Sequence, residues 1–174
     1  MLPSQLAAVW QARDSSEEAP RAAFTGLARQ AELPWEGLYD ALYERTFQPA
    51  AWRLYLDALD ALDVLRGLRE RGVRIAVVSN VGWDLRPVFD ALGLTPYIDA
   101  NISWYEVGVH KPDPRIFRLA CDRLGVNPAE ALMVGDERQK DGGAEAVGCR
   151  HLPVEHLPVE SRPEGLQAVL GMLA

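Results

Sequence analysis

From Leu62 onward the chain alternates short apolar, β-branched runs with helical stretches of about ten residues, and this alternation limits the fold more than any other feature. The spacing predicts a helix ending at Arg71 and Gly72, a strand over Val73-Arg74-Ile75-Ala76-Val77-Val78, and a helix from Asp84 to Leu92. A strand over Ala100-Asn101-Ile102-Ser103-Trp104, a helix from Pro114 to Leu124 and a strand over Ala131-Leu132-Met133-Val134 follow. The pattern closes with a helix from Lys140 to Val147, an extended run from Cys149 to Val154 and a helix from Pro163 to Leu173. Strands separated by helices need crossover connections, so the expectation is an α/β fold: a mostly parallel sheet with helices on both faces, three layers in all. In such sheets ligands sit at the carboxyl ends of the strands.

The preceding part of the chain shows helical spacing only. Leu6, Val9 and Trp10 make one apolar stripe, Phe24, Leu27 and Ala31 a second, and Leu38, Leu42 and Tyr43 a third, while Pro20 and Pro34 fall where helices would start. We therefore divide the chain into a helical segment over residues 1–55 and an α/β core over 56–174. The aromatic side chains Trp10, Trp35, Tyr39, Tyr43, Trp52 and Tyr55 are expected to pack between helices.

Charge and composition exclude several classes of function. With 18 basic and 25 acidic side chains the net charge is -7, so an extended phosphate backbone would be repelled, and no basic patch argues for nucleic acid. No run reaches the roughly 18 apolar residues of a membrane span, and Met1 to Trp10 lacks a positive region, so a cytoplasmic protein is expected. Two cysteines, Cys121 and Cys149, suggest neither a disulfide framework nor a thiolate metal cage, which fits a reducing compartment. The tandem His151-Leu-Pro-Val-Glu155 and His156-Leu-Pro-Val-Glu160 carries metal-ligating types. Its prolines keep it extended and prevent helical convergence, so a last strand running into a surface loop is the expectation.

Three polar clusters lie where a parallel sheet would place its site. Ser79-Asn80 follows a strand. A hydroxyl and an amide there can donate to a phosphate oxygen, or can cap the helix beginning near Asp84. Gly108-Val109-His110-Lys111-Pro112-Asp113-Pro114 frames Lys111 between glycine and prolines, so that it can act as a fixed point charge for a phosphate or for a carboxylate attacking it; Asp113 is placed to cap the next helix. Val134-Gly135-Asp136 delivers a carboxylate at a strand end, with Gly135 allowing close approach and Asp141 opening the following helix. Hard carboxylate oxygens suit Mg²⁺, although Asp141 can equally be a helix cap.

Taken together and in this order, these residues resemble the haloacid dehalogenase superfamily from about Leu62 to the end. Val-Val-Ser79-Asn80 is similar to its second motif, Lys111-Pro-Asp-Pro to its third, and Gly135-Asp136 with Asp141 to its fourth. The resemblance implies a Rossmann-like core, a cap formed by the helical segment, and phosphoryl binding by Ser79 and Asn80. It further implies that Lys111 neutralises the nucleophile and the transferring oxygens, and that Asp136 holds Mg²⁺ with Asp141 supporting it. The expected activity is Mg²⁺-dependent hydrolysis of a small phosphate monoester. A 2-haloacid dehalogenase of the same superfamily is disfavoured, because dehalogenation needs no metal and the fourth motif looks built for one.

One departure weighs against turnover. Family members begin with an apolar strand ending in Asp-x-Asp, whose first carboxylate is the nucleophile, and this chain has no Asp-x-Asp. Asp57, Asp60 and Asp63 recur every third residue on helical sequence and read as a solvated face. Without a nucleophile the acyl-phosphate route is closed, so the chain by itself is expected to be inactive. The missing strand is central in the family, and its loss would separate its two neighbours by about 10 Å. Either those neighbours pair directly, or another segment or subunit fills the place, or the chain is the remainder of a longer protein, which is the favoured expectation. An unfilled slot would favour association into a homodimer. The rival function is non-catalytic: a phosphate- or Mg²⁺-binding protein, or a partner-binding module using the aromatic-rich helices.

Overall fold

Asp113, Pro114 and Gly125 bracket the most regular helix of the core, and each does what its chemistry dictates. The Asp113 side chain accepts the Arg115 N–H at 2.9 Å, Pro114 fills the first helical position where no N–H is needed, and Gly125 closes the helix at φ 63°. Between them Ile116, Phe117, Ala120 and Cys121 form a buried stripe. The structure, a computed structural model, describes residues 8, 21–23, 25–26, 37–52, 59–154 and 167–172.

In chain order the described helices and strands are α1 (Leu38–Arg45), α2 (Leu59–Glu70), β1 (Ala76–Ser79), α3 (Arg86–Ala91), β2 (Ala100–Ser103) and α4 (Trp104–Val107). They continue with α5 (Pro114–Leu124), β3 (Leu132–Gly135), α6 (Arg138–Asp141), β4 (Arg150–Pro153) and α7 (Gln167–Gly171), with short 3-10 turns between. The stripe of Leu38, Leu42 and Tyr43 falls on α1. The stripes of Leu6, Val9 and Trp10 and of Phe24, Leu27 and Ala31 lie outside the described residues, as do Trp10, Trp35, Tyr55, Asp57 and residues 155–160 of the tandem repeat. His151 of that repeat is on β4, as the extended reading expects.

The strands are parallel and covered on both faces. Ala76 and Val78 of β1, Ala100 and Ile102 of β2 and Met133 of β3 face α5 and the turn carrying Ala144. On the opposite side Ile75, Leu132, Val134 and Leu152 pack against Val64 and Leu68 of α2 and Val169 of α7. Val77 meets Val88 and Phe89 of α3 there. The alternation of neighbours along β1 and β3 is the two-residue period of a strand buried on both sides. Burial of a side chain such as Ile102 or Ile116, each 0% exposed, contributes on the order of 1.5–3 kcal/mol.

β1 pairs with β2 in parallel, from Ala76 opposite Ala100 to Ser79 opposite Ser103. β3 pairs with β4, from Leu132 opposite Arg150 to Gly135 opposite Pro153. Among the described residues no ladder joins β1 to β3, so direct pairing of these two strands, one of the three sequence-based alternatives, is not adopted. They nevertheless lie under common covers, since the α5 cluster takes side chains from both sheets and the α2–α7 cluster takes Val73 and Ile75, just before β1, together with Leu132 and Val134 of β3.

The helical segment meets the core through aromatic rings. Tyr43 and Phe47 stack edge to face with centroids 5.1 Å apart, and Phe47 and Trp52 reach Trp83 at 5.3 and 5.8 Å. Trp83 lies in the loop after Asn80, so these rings pack between the helical segment and the core and not only between helices. Trp52 also donates from Nε1 to the Thr46 carbonyl at 2.8 Å.

Candidate active site

β1 ends at Ser79 and β3 at Gly135, and the loop carrying Lys111 connects the two ends. The Asn80 side-chain amide and the Lys111 backbone form a reciprocal pair. Asn80 Nδ2 donates to the Lys111 carbonyl at 3.0 Å, and the Lys111 N–H donates to Asn80 Oδ1 at 2.6 Å. The Lys111 ammonium then bonds Asp141 Oδ1 at 2.6 Å, with the two side chains 14% and 2% exposed. Asp141 Oδ2 accepts the Glu137 N–H at 3.0 Å, so both carboxylate oxygens are engaged. A charge-assisted bond in such surroundings is shorter and stronger than a neutral one.

Two glycines make these approaches feasible. A Cβ on Gly135 would overlap the Asp141 carboxylate and lie 3.0 Å from Asp141 Cβ. A Cβ on Gly143 would overlap the Pro112 carbonyl oxygen and lie 2.9 Å from Pro112 Cβ. The Lys111–Pro112 peptide is cis. The loop thus rests on the main chain at Gly143, and the Asp141 carboxylate rests on the main chain at Gly135.

The sequence-selected residues fall as follows. Lys111, Asn80 and Asp141 are brought together directly. Ser79 lies beside Asn80, and its Oγ accepts the Val81 N–H at 3.2 Å, a local turn bond that does not cap α3. That end is served by Asp84, which accepts the Arg86 N–H at 3.0 Å. Asp136 follows Gly135 and is exposed at the end of β3. Asp141 caps no helix with its side chain: it is the last residue of α6, and its carboxylate turns to Lys111 and Glu137. Asp113 caps α5, and the Arg115 guanidinium, aided by the Arg115 N–H, lowers its pKa to about 2. Sequence reasoning missed the Asn80–Lys111 pairing, the seat of Gly143 on Pro112 and the Glu137 N–H. Only the double glycine after Asp141 was a visible signal of the second.

Mg²⁺ binds through one or two carboxylates, keeps several waters and is completed by substrate phosphate. The donors here fit that ion in kind: Asp136 offers an exposed carboxylate at the end of β3, while the buried carboxylate of Asp141 is held by Lys111 and the Glu137 N–H. Among the described residues no group of three or more His, Cys, Asp or Glu side chains is gathered as a metal cage. Among the same residues no helix is long and apolar enough to cross a membrane.

A three-layer parallel α/β core with Lys111 and Asp141 joined at its strand ends has its polar cluster where open α/β sheets bind their ligands. The haloacid dehalogenase-like hydrolase family model matches residues 8–148, and the chain belongs to that family. It is 41% identical over 111 residues to haloacid dehalogenase-like hydrolase domain-containing protein 3 of Mus musculus, covering 63% of this chain and 43% of that protein. It is likewise 41% identical over 102 residues to a phosphoserine phosphatase of Thermus thermophilus, covering 58% of this chain and 40% of the enzyme. The chain thus spans about two fifths of the length of these relatives. The crystal structure of a dehalogenase superposes with a TM-score of 0.74 at 26% identity, covering 98% of this chain and 84% of that one. The family assignment made from Ser79-Asn80, Lys111 and Gly135-Asp136 therefore holds, as does the Rossmann-like α/β fold.

Proposed function

We propose that this chain carries the phosphate- and Mg²⁺-binding part of a phosphomonoester hydrolase, acting on a small phosphorylated substrate in a form that also supplies an Asp-x-Asp strand. The observation that carries the reading is the Lys111 ammonium, fixed at the joint ends of β1 and β3 and paired with Asp141. A cation held on a rigid loop stabilises charge that develops on a transferring phosphoryl group. Ser79 would offer its hydroxyl to a phosphoryl oxygen. Asp136 would hold Mg²⁺, with Asp141 supporting it, and the ion would neutralise phosphoryl charge when bound. Residues 1–55 would form the cap that selects the substrate, with the rings of Phe47, Trp52 and Trp83 at its junction with the core. We place the protein in the cytoplasm, where its free thiols Cys121 and Cys149 would stay reduced.

Because the sequence lacks Asp-x-Asp, the 174-residue polypeptide is expected to bind without turning over. The second reading, a non-catalytic binding protein, is favoured by that same feature. The test is an assay with p-nitrophenyl phosphate and Mg²⁺, alongside the Asp136→Asn variant. Equal background rates in both fit the proposal. Turnover above the variant overturns the expected silence, and metal-independent halide release from a 2-haloacid would transfer the reading to dehalogenation.

A further inference from the structure

We infer that Asn80 is a positioning residue for Lys111 and not a ligand of the phosphate. Its side chain offers one acceptor oxygen and two donor hydrogens. The oxygen is taken by the Lys111 N–H at 2.6 Å and one hydrogen by the Lys111 carbonyl at 3.0 Å. Asparagine is the shortest side chain with a coplanar donor and acceptor, the pair needed to mimic one rung of a backbone ladder. Aspartate would keep the acceptor and set a carboxylate against the Lys111 carbonyl. Alanine would keep neither.

The pairing joins residues 31 apart in sequence, and its consequence lies further on. No ladder joins β1 to β3 among the described residues, so sheet pairing does not set the distance between their ends. The continuous line from Asn80 through the Lys111 main chain, the Lys111 ammonium and the Asp141 carboxylate to the Glu137 N–H spans that distance instead. Fixing the Lys111 backbone at β1 aims its ammonium at the segment after β3. Asn80 thereby acts on an anion only through Lys111.

The part of the inference that concerns phosphate rests on the proposed function, and the experiment keeps the two apart. Inorganic phosphate is titrated into the wild-type chain and into Asn80→Ala, Lys111→Met and the double variant by calorimetry in the presence of Mg²⁺, and exchange of the Lys111 amide is followed by NMR. Asn80→Ala is expected to weaken phosphate about tenfold alone and to add little in the Lys111→Met background, since the two residues act in series. The Lys111 amide is expected to exchange at least about tenfold faster in Asn80→Ala with the remaining core amides unchanged. A full tenfold loss in the Lys111→Met background would show a direct contact between Asn80 and the anion and overturn the inference. Unaltered exchange at Lys111 would overturn it too. If the wild type binds no phosphate, the proposed function falls, and the exchange measurement alone decides the role of Asn80. Should Asn80→Ala fail to fold, Asn80→Asp replaces it: the Lys111 amide should remain partly protected while phosphate weakens, and full retention of phosphate affinity would refute positioning.

Discussion

Replacing Gly135 by alanine is the sharpest probe of how the acidic partner of Lys111 is seated. The added Cβ would overlap the Asp141 carboxylate and stand 3.0 Å from Asp141 Cβ. The carboxylate cannot swing away freely, because it is 2% exposed and holds both the Lys111 ammonium and the Glu137 N–H. Overpacking of this kind costs about 1–3 kcal/mol. For a domain of this size each kcal/mol lowers the melting temperature by about 2–4 °C, so a fall of about 2–12 °C is expected by differential scanning calorimetry. If the Lys111–Asp141 pair opens as well, stranding one partner of a buried pair adds about 3–5 kcal/mol, a further fall of about 6–20 °C. Gly171→Ala is the control. A Cβ there meets nothing within 4 Å, so the variant should be neutral or stabilised by up to about 1 kcal/mol. A Gly135→Ala protein that melts within about 1 °C of the parent, or a Gly171→Ala protein that loses as much as Gly135→Ala, would refute the reasoning.

Two further perturbations follow from the core. Ile116 is 0% exposed in the cluster under α5, and Ile116→Ala should lower the urea-unfolding free energy by about 2–5 kcal/mol; a loss below about 1 would mean that the site collapses around the cavity. The thiols of Cys121 and Cys149 stand 3.8 Å apart, and burial, with the Cys121 thiol beside it, pushes the Cys149 pKa from 9.0 up to about 11. Cys149 should therefore resist iodoacetamide at pH 8 in the folded chain. A pKa raised by folding supports stability below the unfolded value and loses that support as pH rises from about 9 to about 11, so the urea midpoint should decline over that window and decline less in Cys149→Ala. Rapid alkylation at pH 8 would contradict the burial.

The fold was legible wherever local chemistry and final structure agree. Asp113 and Pro114 announced the start of α5, which ends at Leu124 as expected, and the apolar run before Gly135 announced β3. The first strand begins at Ala76 and not at Val73, because the Ile75 N–H is claimed by the Asp99 side chain at 2.8 Å, and that carboxylate is also tied to Arg69 at 2.6 Å. The strand expected through Trp104 ends at Ser103. Trp104 opens α4 instead, with its ring so near Gly82 that a Cβ on that glycine would lie 2.9 Å away. The helix expected from Lys140 to Val147 splits into α6 and a 3-10 run at Gly142, where Gly143 is pressed onto Pro112.

The candidate site was legible as a set of residues and not as a set of contacts. Ser79, Asn80, Lys111, Asp136 and Asp141 carry their chemistry in their types and in their places at strand ends. The pairing of Asn80 with the Lys111 backbone was not legible, because residues 31 apart meet only through the tertiary fold, and an Asn after a strand reads equally as a cap or a phosphate donor. The turn of the Asp141 carboxylate to Lys111 and the Glu137 N–H, and not to the helix cap that was its alternative reading, depends on Gly135, Lys111 and Glu137 together, which no local pattern reports.

The meeting of Gly143 with Pro112 has a consequence for how tolerances are distributed along the molecule. Where one peptide plane rests on another with no side chain interposed, the separation of the two backbones that carry ammonium and carboxylate is gauged by covalent skeleton, and the side chains have only the remaining gap to close. Sequence drift on the outer surface of that turn can proceed without altering the gauge, whereas a single methyl at the point of touch would reset it.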